Sequence, residues 1–251
     1  MPEPGVLDRT ALTVNHLFWQ AVDLVYPPVC ISCGRSGERW CQDCQAMVER
    51  VGNRICQKCG KRLFHGQVCG ECRDRTPHYA ALRSYGLYRD PLRLAILRIK
   101  YHRDLGLGEL LAGCLKQLLE EQPWQPDLLI PVPLSPAKLH ERGYNQVDLF
   151  ARPLAWSLGL PYHEGILLRL HEETSQVKLT AQARRRNVRS SFGINNGSAL
   201  KSRQVLLVDD VATTGSTADT CARILMENGV NRVTVVTLAR SLLRKTNQEV
   251  T

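Results

Sequence analysis

Eight of the ten cysteines stand in four C-x-x-C pairs between Cys30 and Cys72, and this pattern is the strongest constraint on the fold. Each pair forms a tight turn that points two sulfur atoms at one metal ion, and two such turns complete a tetrahedral thiolate site. Disulfide scaffolds are typical of secreted chains, and a redox dithiol is a single C-x-x-C pair rather than four in series. The pattern therefore predicts two zinc sites in a small ribbon module.

Both predicted zinc sites are structural, because four protein ligands leave a metal no open position for a substrate. We expect sequential pairing, in which neighbouring C-x-x-C pairs share one metal, although a cross-braced arrangement remains open. It is equally open whether the module only stabilises the fold or also docks a partner or nucleic acid. The predicted ligands are Cys30, Cys33, Cys41 and Cys44 for one zinc, and Cys56, Cys59, Cys69 and Cys72 for the other.

Beyond the cysteines, apolar runs alternate with helical patterns from residue 79 onward, which is typical of a parallel sheet with crossover helices. Residues before the cysteines also show helical spacing, which Pro27 and Pro28 end. The predicted organisation is an N-terminal helix over residues 1–25, a double zinc ribbon over 26–76, an α/β domain over 77–240 and a polar tail over 241–251.

Composition places the chain among folded proteins that do not span a membrane. The chain is 43% hydrophobic and 23% charged, which argues against disorder. No stretch approaches the roughly 20 apolar residues of a membrane helix, and no basic segment leads into an apolar run as in a secretory signal. We therefore expect a cytoplasmic protein. Its formal charge of +9 is smaller once zinc-bound thiolates are counted.

Residues 205–217 read VLLVDDVATTGST and carry the clearest chemical signal. Four apolar residues predict a buried central strand, Asp209 and Asp210 lie at its carboxyl end, and a hydroxyl-rich turn opens a helix over 216–228. Amides at a helix N-terminus favour a phosphate, and paired carboxylates accept hydrogen bonds from vicinal ribose hydroxyls. The stretch therefore predicts a sugar-phosphate site. An ordinary strand–turn–helix would explain the hydroxyls but not two consecutive acids.

Other phosphate-binding motifs do not match. The chain has no G-x-x-x-x-G-K-[ST] sequence, which excludes a P-loop nucleotide hydrolase. Gly106 and Gly108 follow no predicted strand, and the third glycine of the dinucleotide fingerprint is replaced by Leu111.

The stretch 205–217 resembles the phosphoribosyl-pyrophosphate (PRPP) motif of type I phosphoribosyltransferases. Further strings accompany it in order: AVDLVYPP at 21–28, IPVPL at 130–134, ERGYNQ at 141–146, and Q-x-x-L-T followed by R-x-x-N within 176–187. Together they resemble the ComF family, over about residues 20–240. The implied fold class is α/β, a type I phosphoribosyltransferase-like parallel sheet with flanking helices, preceded by a small double zinc ribbon.

The resemblance also implies site residues. Asp209 and Asp210 would hold the ribose hydroxyls, directly or through Mg²⁺, and with Arg142 they form the implied catalytic set. The implied PRPP-binding residues are Asp209, Asp210, Thr213, Thr214, Gly215, Ser216, Thr217, Val132, Pro133 and Lys138. Residues 169–187 correspond to the loop that closes over PRPP. Lys100 and Arg103, at the end of a predicted helix, are a further source of positive charge.

Residues 169–203 hold eight lysines and arginines against two glutamates, which indicates contact with a polyanion. The segment could instead be a solvated surface, or it could cover PRPP. For nucleic acid, the predicted residues are Arg184, Arg185, Arg186 and Arg189. Phe192 is the only aromatic residue in this segment, so backbone contact with single-stranded DNA is favoured over base reading.

Three functions follow from these patterns. The first is a PRPP-binding ComF protein that handles single-stranded DNA in the cytoplasm during DNA uptake, with the uptake machinery as a partner that the resemblance implies. The second is an active enzyme that transfers 5-phosphoribose from PRPP to a base or amine, with Mg²⁺. The third is a zinc-ribbon adaptor with a vestigial transferase domain, which the intact Asp209 and Asp210 disfavour. The sequence does not identify an acceptor.

Overall fold

In the computed structural model, the described residues are 27–102, 104–170, 192–195 and 200–242. They form a cysteine-rich ribbon followed by an α/β domain. The predicted N-terminal helix over residues 1–25 lies outside the described residues, as do the tail beyond residue 242, Arg103 and most of the basic segment, including Arg184, Arg185, Arg186 and Arg189.

The ribbon consists of two units of the same design. Each unit has an antiparallel β-bridge around its first C-x-x-C pair, and each ends in a short helix, α1 (Gln42–Ala46) or α2 (Gly70–Asp74). A cysteine with extended backbone, Cys41 or Cys69, precedes each helix. The repeated cysteine pattern in the sequence thus corresponds to a repeated structural unit. We call residues 29–46 the first zinc unit and residues 55–74 the second zinc unit.

The centre of the α/β domain is a parallel sheet. The strands are β1 (Ala81–Leu87), β2 (Leu128–Pro131), β3 (Leu167–Arg169), β4 (Phe192–Ile194), β5 (Gln204–Ala212) and β6 (Arg232–Arg240). In the main sheet the order is β1, β6, β5, β2, and all neighbours are parallel. β3 and β4 pair with each other in antiparallel fashion. The helices of this domain are α3 (Leu92–Tyr101), α4 (Gly108–Glu120), α5 (Pro136–Arg142), α6 (Asp148–Leu158) and α7 (Ser216–Glu227), with a 3₁₀ turn at Leu105–Leu107.

Both faces of the sheet are covered. Because side chains alternate along a strand, Leu206 and Val208 of β5 pack into one hydrophobic core with α3, α4 and α6. Val205 and Leu207 pack into a second core with α7 and the β3–β4 pair. This arrangement confirms the predicted α/β fold class, and the run VLLV is the buried central strand that the sequence predicts.

The ribbon contacts both ends of β1, which is an edge strand of the sheet. At one end of β1 the amide of Leu87 donates to the carbonyl of Glu49 (2.7 Å), and at the other the amide of Leu82 donates to the carbonyl of Lys58 (2.7 Å). Three cysteines of the first zinc unit belong to the core with α3, α4 and α6, and all four of the second belong to the core with α7. The ribbon therefore completes both cores of the domain.

Candidate functional site

The candidate site lies at the carboxyl end of β5. Asp209 and Asp210 are the sixth and seventh of the nine residues of this strand, which continues to Ala212 before the chain turns into α7. The helix begins at Ser216, as the sequence predicts. β2 runs parallel to β5 and ends beside it, with Pro131 opposite Val208. The segment after β2 and the turn after β5 therefore meet at one edge of the sheet.

The turn over residues 213–217, which we call the phosphate turn, exposes hydroxyl groups. Gly215 has a φ of +85°, a conformation that favours glycine, and directly precedes α7. The amide of Ser216 donates to Thr214 Oγ1 (3.2 Å), and Thr214 Oγ1 donates to Ser216 Oγ (3.0 Å). Thr213, Thr214 and Ser216 are exposed, so their side chains lie at the surface beside the N-terminus of α7, where an anion can bind.

Asp210 is held by a charged network. Its Oδ2 atom lies 2.7 Å from Lys100 Nζ and accepts a hydrogen bond from Gln146 Nε2 (2.8 Å). Gln146 Oε1 in turn accepts from Arg142 (2.8 Å), whose guanidinium also lies over the Tyr101 ring at 5.2 Å from its centre. Two cations thus lie on the side of Asp210 that faces α3 and α5.

Asp209 has a different electrostatic environment. Burial raises the pKa of Asp209 to about 7, and the negative charge of Asp210 adds to this shift. The amide of Asp210, which donates to Asp209 Oδ1 (2.8 Å), and the cations Lys100 and Arg169 act in the opposite direction. The neighbouring carboxyls are therefore unequal: Asp210 is ion-paired, whereas Asp209 takes up a proton close to neutral pH.

The segment after β2 is fixed by backbone contacts. The amide of Val132 donates to the carbonyl of Val208 (2.8 Å), and Asn145 Nδ2 donates to the carbonyl of Val132 (3.2 Å). Ser135 caps α5 by accepting from the amide of Lys138 (3.4 Å), and the Lys138 side chain is exposed. The structure thus brings Val132, its neighbour Pro133 and Arg142 to the same sheet edge as the acids, with Lys138 on the outer side of α5.

Two residues of this network, Lys100 and Gln146, are absent from the predicted site set. Lys100 is only a secondary candidate in the sequence, and the string ERGYNQ contains Gln146 without indicating its contact. Tyr144 also belongs to this network, because its hydroxyl donates to the carbonyl of Ile99, next to Lys100. Residues of the ERGYNQ string therefore connect α3 to Asp210 of β5. The string itself was the sequence signal that could have led to Gln146.

The cysteines form two separate four-sulfur clusters. Within each cluster all four Sγ atoms lie within 4.8 Å of one another, and the clusters are Cys30, Cys33, Cys41 and Cys44, and Cys56, Cys59, Cys69 and Cys72. Cys33 and Cys41 are 3.7 Å apart, as are Cys59 and Cys69. Sulfur atoms in a tetrahedral zinc site lie about 3.8 Å apart, so both clusters fit zinc. Sequential pairing is the arrangement present.

Backbone amides support one thiolate in each cluster. Burial on its own would raise the pKa of Cys30, but hydrogen bonds from neighbouring amides outweigh it and lower the pKa to about 6. The same balance lowers the pKa of Cys56 to about 7. The amides of Cys41 and Cys69 donate to these two sulfurs at 3.5 and 3.3 Å. Stabilised thiolates of this kind suit a metal ligand, which must be deprotonated.

Within the described part of the chain, no helix is both long and apolar enough to cross a membrane.

Fold and site define a class: an α/β protein with acids and a hydroxyl-rich turn at the carboxyl end of a central strand, joined to a double zinc ribbon. The family model for the double zinc ribbon domain matches residues 21–73. The chain is 32% identical to competence protein F of Haemophilus influenzae, over 80% of this chain and 90% of the relative. It is 31% identical to DNA utilization protein YhgH of Salmonella typhimurium, over 92% of this chain and 100% of the relative. The chain belongs to the ComF family.

Solved structures resemble the chain more remotely. The glutamine PRPP amidotransferase from B. subtilis is 19% identical with a TM-score of 0.41, covering 57% of this chain and 30% of the amidotransferase chain. Adenine phosphoribosyltransferase from Thermoanaerobacter pseudethanolicus is 18% identical with a TM-score of 0.35, covering 55% of this chain and 83% of that enzyme.

Proposed function

We propose that the carboxyl end of β5 binds PRPP. The observation that carries the proposal is the position of Asp209 and Asp210 near the end of β5, two residues before a turn with exposed hydroxyls. A phosphate group suits that turn, because donors converge on it at the positive end of α7. The vicinal hydroxyls of a ribose suit the carboxylates, because hydrogen bonds to an ionised acceptor are strong. One sugar phosphate satisfies both halves of the site.

The residues of the site divide the ligand between them. Thr213, Thr214 and Ser216 would donate to the 5′-phosphate, together with the first amides of α7. Lys100 and Gln146 both contact Oδ2 of Asp210. Within the described part of the chain, Oδ1 of Asp210 would therefore accept from the ribose. Arg142 and Lys100 would face the pyrophosphate, with Arg142 offering the planar donors that grip phosphate oxygens in pairs.

A Mg²⁺ ion fits the same place. Paired carboxylate oxygens are ligands that Mg²⁺ accepts, usually together with phosphate oxygens of the substrate. Asp209 and Asp210 are the residues that would hold it with PRPP. When bound, the ion would neutralise part of the charge of the pyrophosphate.

Isothermal titration calorimetry of the zinc-loaded protein with PRPP and Mg²⁺ tests the proposal. We expect saturable heat from the wild-type protein and none from the variant Asp209→Asn/Asp210→Asn, which keeps side-chain size. The thermal unfolding profile of that variant should show that the fold persists. Absence of heat with the wild-type protein would sink the proposal.

We further propose a role in the uptake or use of external DNA, through single-stranded DNA in the cytoplasm. Support comes from the names of the relatives, which are called competence or DNA utilization proteins. The basic segment over 169–203, with Arg184, Arg185, Arg186 and Arg189, is the proposed DNA contact. Proteins of the uptake machinery are proposed partners of the same step.

The alternative function is catalytic transfer of 5-phosphoribose from PRPP to a base or amine. The specific observation in its favour is that Lys100 pairs with Asp210 while Arg142 is linked to it through Gln146, so two cations lie where they can stabilise a departing pyrophosphate. Pyrophosphate release from PRPP, measured against a panel of bases and amines, separates the two functions. Release that depends on one acceptor would establish the enzyme; binding without release across the panel would favour the DNA-handling protein.

A further inference from the structure

The second zinc unit packs on the same side of the sheet as α7, the helix that follows the phosphate turn. Its four cysteines share a hydrophobic core with Leu207 of β5 and with Ala218 and Cys221 of α7, which flank the turn on both sides. The segment over residues 75–79, which we call the linker, continues from this unit into the α/β domain. Three separate contacts join the unit and its linker to the turn.

The first contact reaches the strand end before the turn. Arg240, which is 4% exposed, donates a hydrogen bond to the carbonyl of the zinc ligand Cys59 (2.8 Å). Arg240 is the register partner of Ala212, the last residue of β5, and the amide of Ser241 donates to the carbonyl of Ala212 (2.9 Å). A buried arginine thus connects a zinc ligand to the residue that precedes the turn.

The knuckle containing Cys59 has little freedom to move. A Cβ atom at Gly60 would lie only 2.5 Å from the carbonyl oxygen of Leu82 in β1, so this position accepts nothing larger than glycine. The amide of Leu82 donates to the carbonyl of Lys58 in the same knuckle. Backbone contacts of this closeness transmit a shift of the knuckle to the sheet.

The second contact is made by Tyr79 in the linker. Tyr79 is 3% exposed, and a Cβ atom at Gly215 would lie 2.9 Å from its hydroxyl oxygen. The hydroxyl therefore lies against the backbone of the phosphate turn. On its other side Tyr79 belongs to the core that holds Cys59 and Cys72.

The third contact is made by the linker on the first turn of α7. The amide of His78 donates to Asp219 Oδ1 (2.7 Å), His78 Nδ1 lies 2.9 Å from the same oxygen, and Arg75 lies 3.4 Å from Oδ2. The amide of Asp219 in turn donates to the carbonyl of Gly215 (2.9 Å). The linker thus holds the helix end whose amides face the anion.

We propose that the second zinc unit is a positioning element for the phosphate turn, so that zinc at Cys56, Cys59, Cys69 and Cys72 sets the affinity for the sugar phosphate. This inference rests on the proposed function. Preorganised donors bind an anion without a cost of ordering, and a loosened turn loses that advantage. The first zinc unit provides the contrast, because its Arg39 pairs with Asp104 (2.9 Å) on the other face of the sheet.

Hydrogen exchange measured by mass spectrometry on the full-length protein tests the inference without a ligand. Cys72→Ser removes a ligand of the second zinc, and Cys44→Ser is the matched change at the first, because each cysteine is buried in the short helix that ends its unit. We expect exchange of the amides of residues 213–219 to be about fivefold faster or more in Cys72→Ser only. Equal exchange in both variants, or no change in either, would overturn the inference.

A second pair of variants covers the case in which Cys72→Ser does not fold. Arg75→Ala/His78→Ala removes exposed linker side chains that touch neither zinc nor the turn itself, and Arg35→Ala/Arg93→Ala removes two exposed cations elsewhere. We expect faster exchange of residues 213–219 and a PRPP dissociation constant raised about fivefold in the linker variant alone. Unchanged exchange would overturn the inference. If wild-type protein fails to bind PRPP, the proposed function falls, while the exchange data still decide the positioning role.

Discussion

Lys100 Nζ lies 2.7 Å from Asp210 Oδ2, and this ion pair joins the last turn of α3 to the end of β5. The two side chains are only 17% and 10% exposed, so neither charge is well solvated without the other. Gln146 donates to the same oxygen and fixes the carboxylate further. The pair therefore holds a cation beside the proposed ribose site in the ligand-free protein.

Replacing Lys100 with Ala should weaken PRPP binding about tenfold or more. A hydrogen bond to a charged group contributes about 1.5–3 kcal/mol, which corresponds to this factor. Calorimetry at one salt concentration measures the change, and Lys116→Ala on the exposed side of α4 serves as the matched control. A Lys100→Ala protein that folds and binds PRPP as tightly as wild type would show that Lys100 only neutralises Asp210.

The pKa of Asp209, raised to about 7 by burial and by Asp210, predicts a pH-dependent stability. An unfolded aspartate ionises near pH 3.9, so between about pH 4 and 7 the folded protein binds more protons than the unfolded chain. The contribution of Asp209 to stability is therefore present at low pH and is lost as the pH rises through 7.

Asp209→Asn removes this titration at nearly constant side-chain size. We expect the free energy of unfolding of the variant, relative to wild type, to rise by up to a few kcal/mol between pH 5 and 8. Urea unfolding at several pH values measures it, and the zinc thiolates cancel because both proteins contain them. A difference that does not vary with pH would contradict the raised pKa.

Zinc removal is expected to destabilise the whole protein rather than the ribbon alone. Seven of the eight cysteines in the two clusters lie in the two cores that also hold β5, and the ribbon makes backbone hydrogen bonds to both ends of β1. We expect chelation to lower the melting temperature of one cooperative transition followed by circular dichroism. The result that speaks against this is a separate early transition for the ribbon, with the sheet still melting at the temperature of the zinc-loaded protein.

The cysteine sites and the strand–turn–helix of residues 204–227 were predictable because their information is local. C-x-x-C spacing determines where the sulfurs point, and the run VLLVDD followed by a hydroxyl-rich turn determines the strand end. The contacts of Lys100 and Gln146 with Asp210 were not predictable in the same way, because they join α3 and the segment after α5 to β5, which are far apart in the sequence.

The position of the ribbon along the β1 edge could not be predicted from the sequence either. It depends on carbonyl groups of Glu49 and Lys58 and amide groups of Leu82 and Leu87, and every residue type except proline carries both groups. The backbone contact at Gly60 leaves a trace in the sequence, since glycine follows Cys59, but a glycine there is also what a metal knuckle with positive φ requires. One residue thus serves two constraints, and the pattern reveals only the local one.

The proposed DNA contact makes a prediction about salt. If Arg184, Arg185 and Arg186 each neutralise a phosphate of single-stranded DNA, replacing all three with Ala should reduce the slope of log affinity against log salt by about 2, since each contact contributes about 0.7. Fluorescence anisotropy with a labelled oligonucleotide at several salt concentrations measures the slope. Arg93→Ala, which removes an exposed cation paired with Asp90, is the control.

The slope is more informative than affinity at one salt concentration, because the slope reports how many phosphates the protein neutralises. Partial unfolding of a variant lowers its apparent affinity, but the molecules that remain folded still release the same number of ions. A lower affinity with the wild-type slope would therefore place the DNA elsewhere on the protein. The slope of the variant could also be shallower than that of wild type only when PRPP is absent. That result would show that the segment also covers the sugar phosphate, since one set of arginines cannot neutralise both anions at once. Running the titration with and without PRPP separates the two uses of the basic segment.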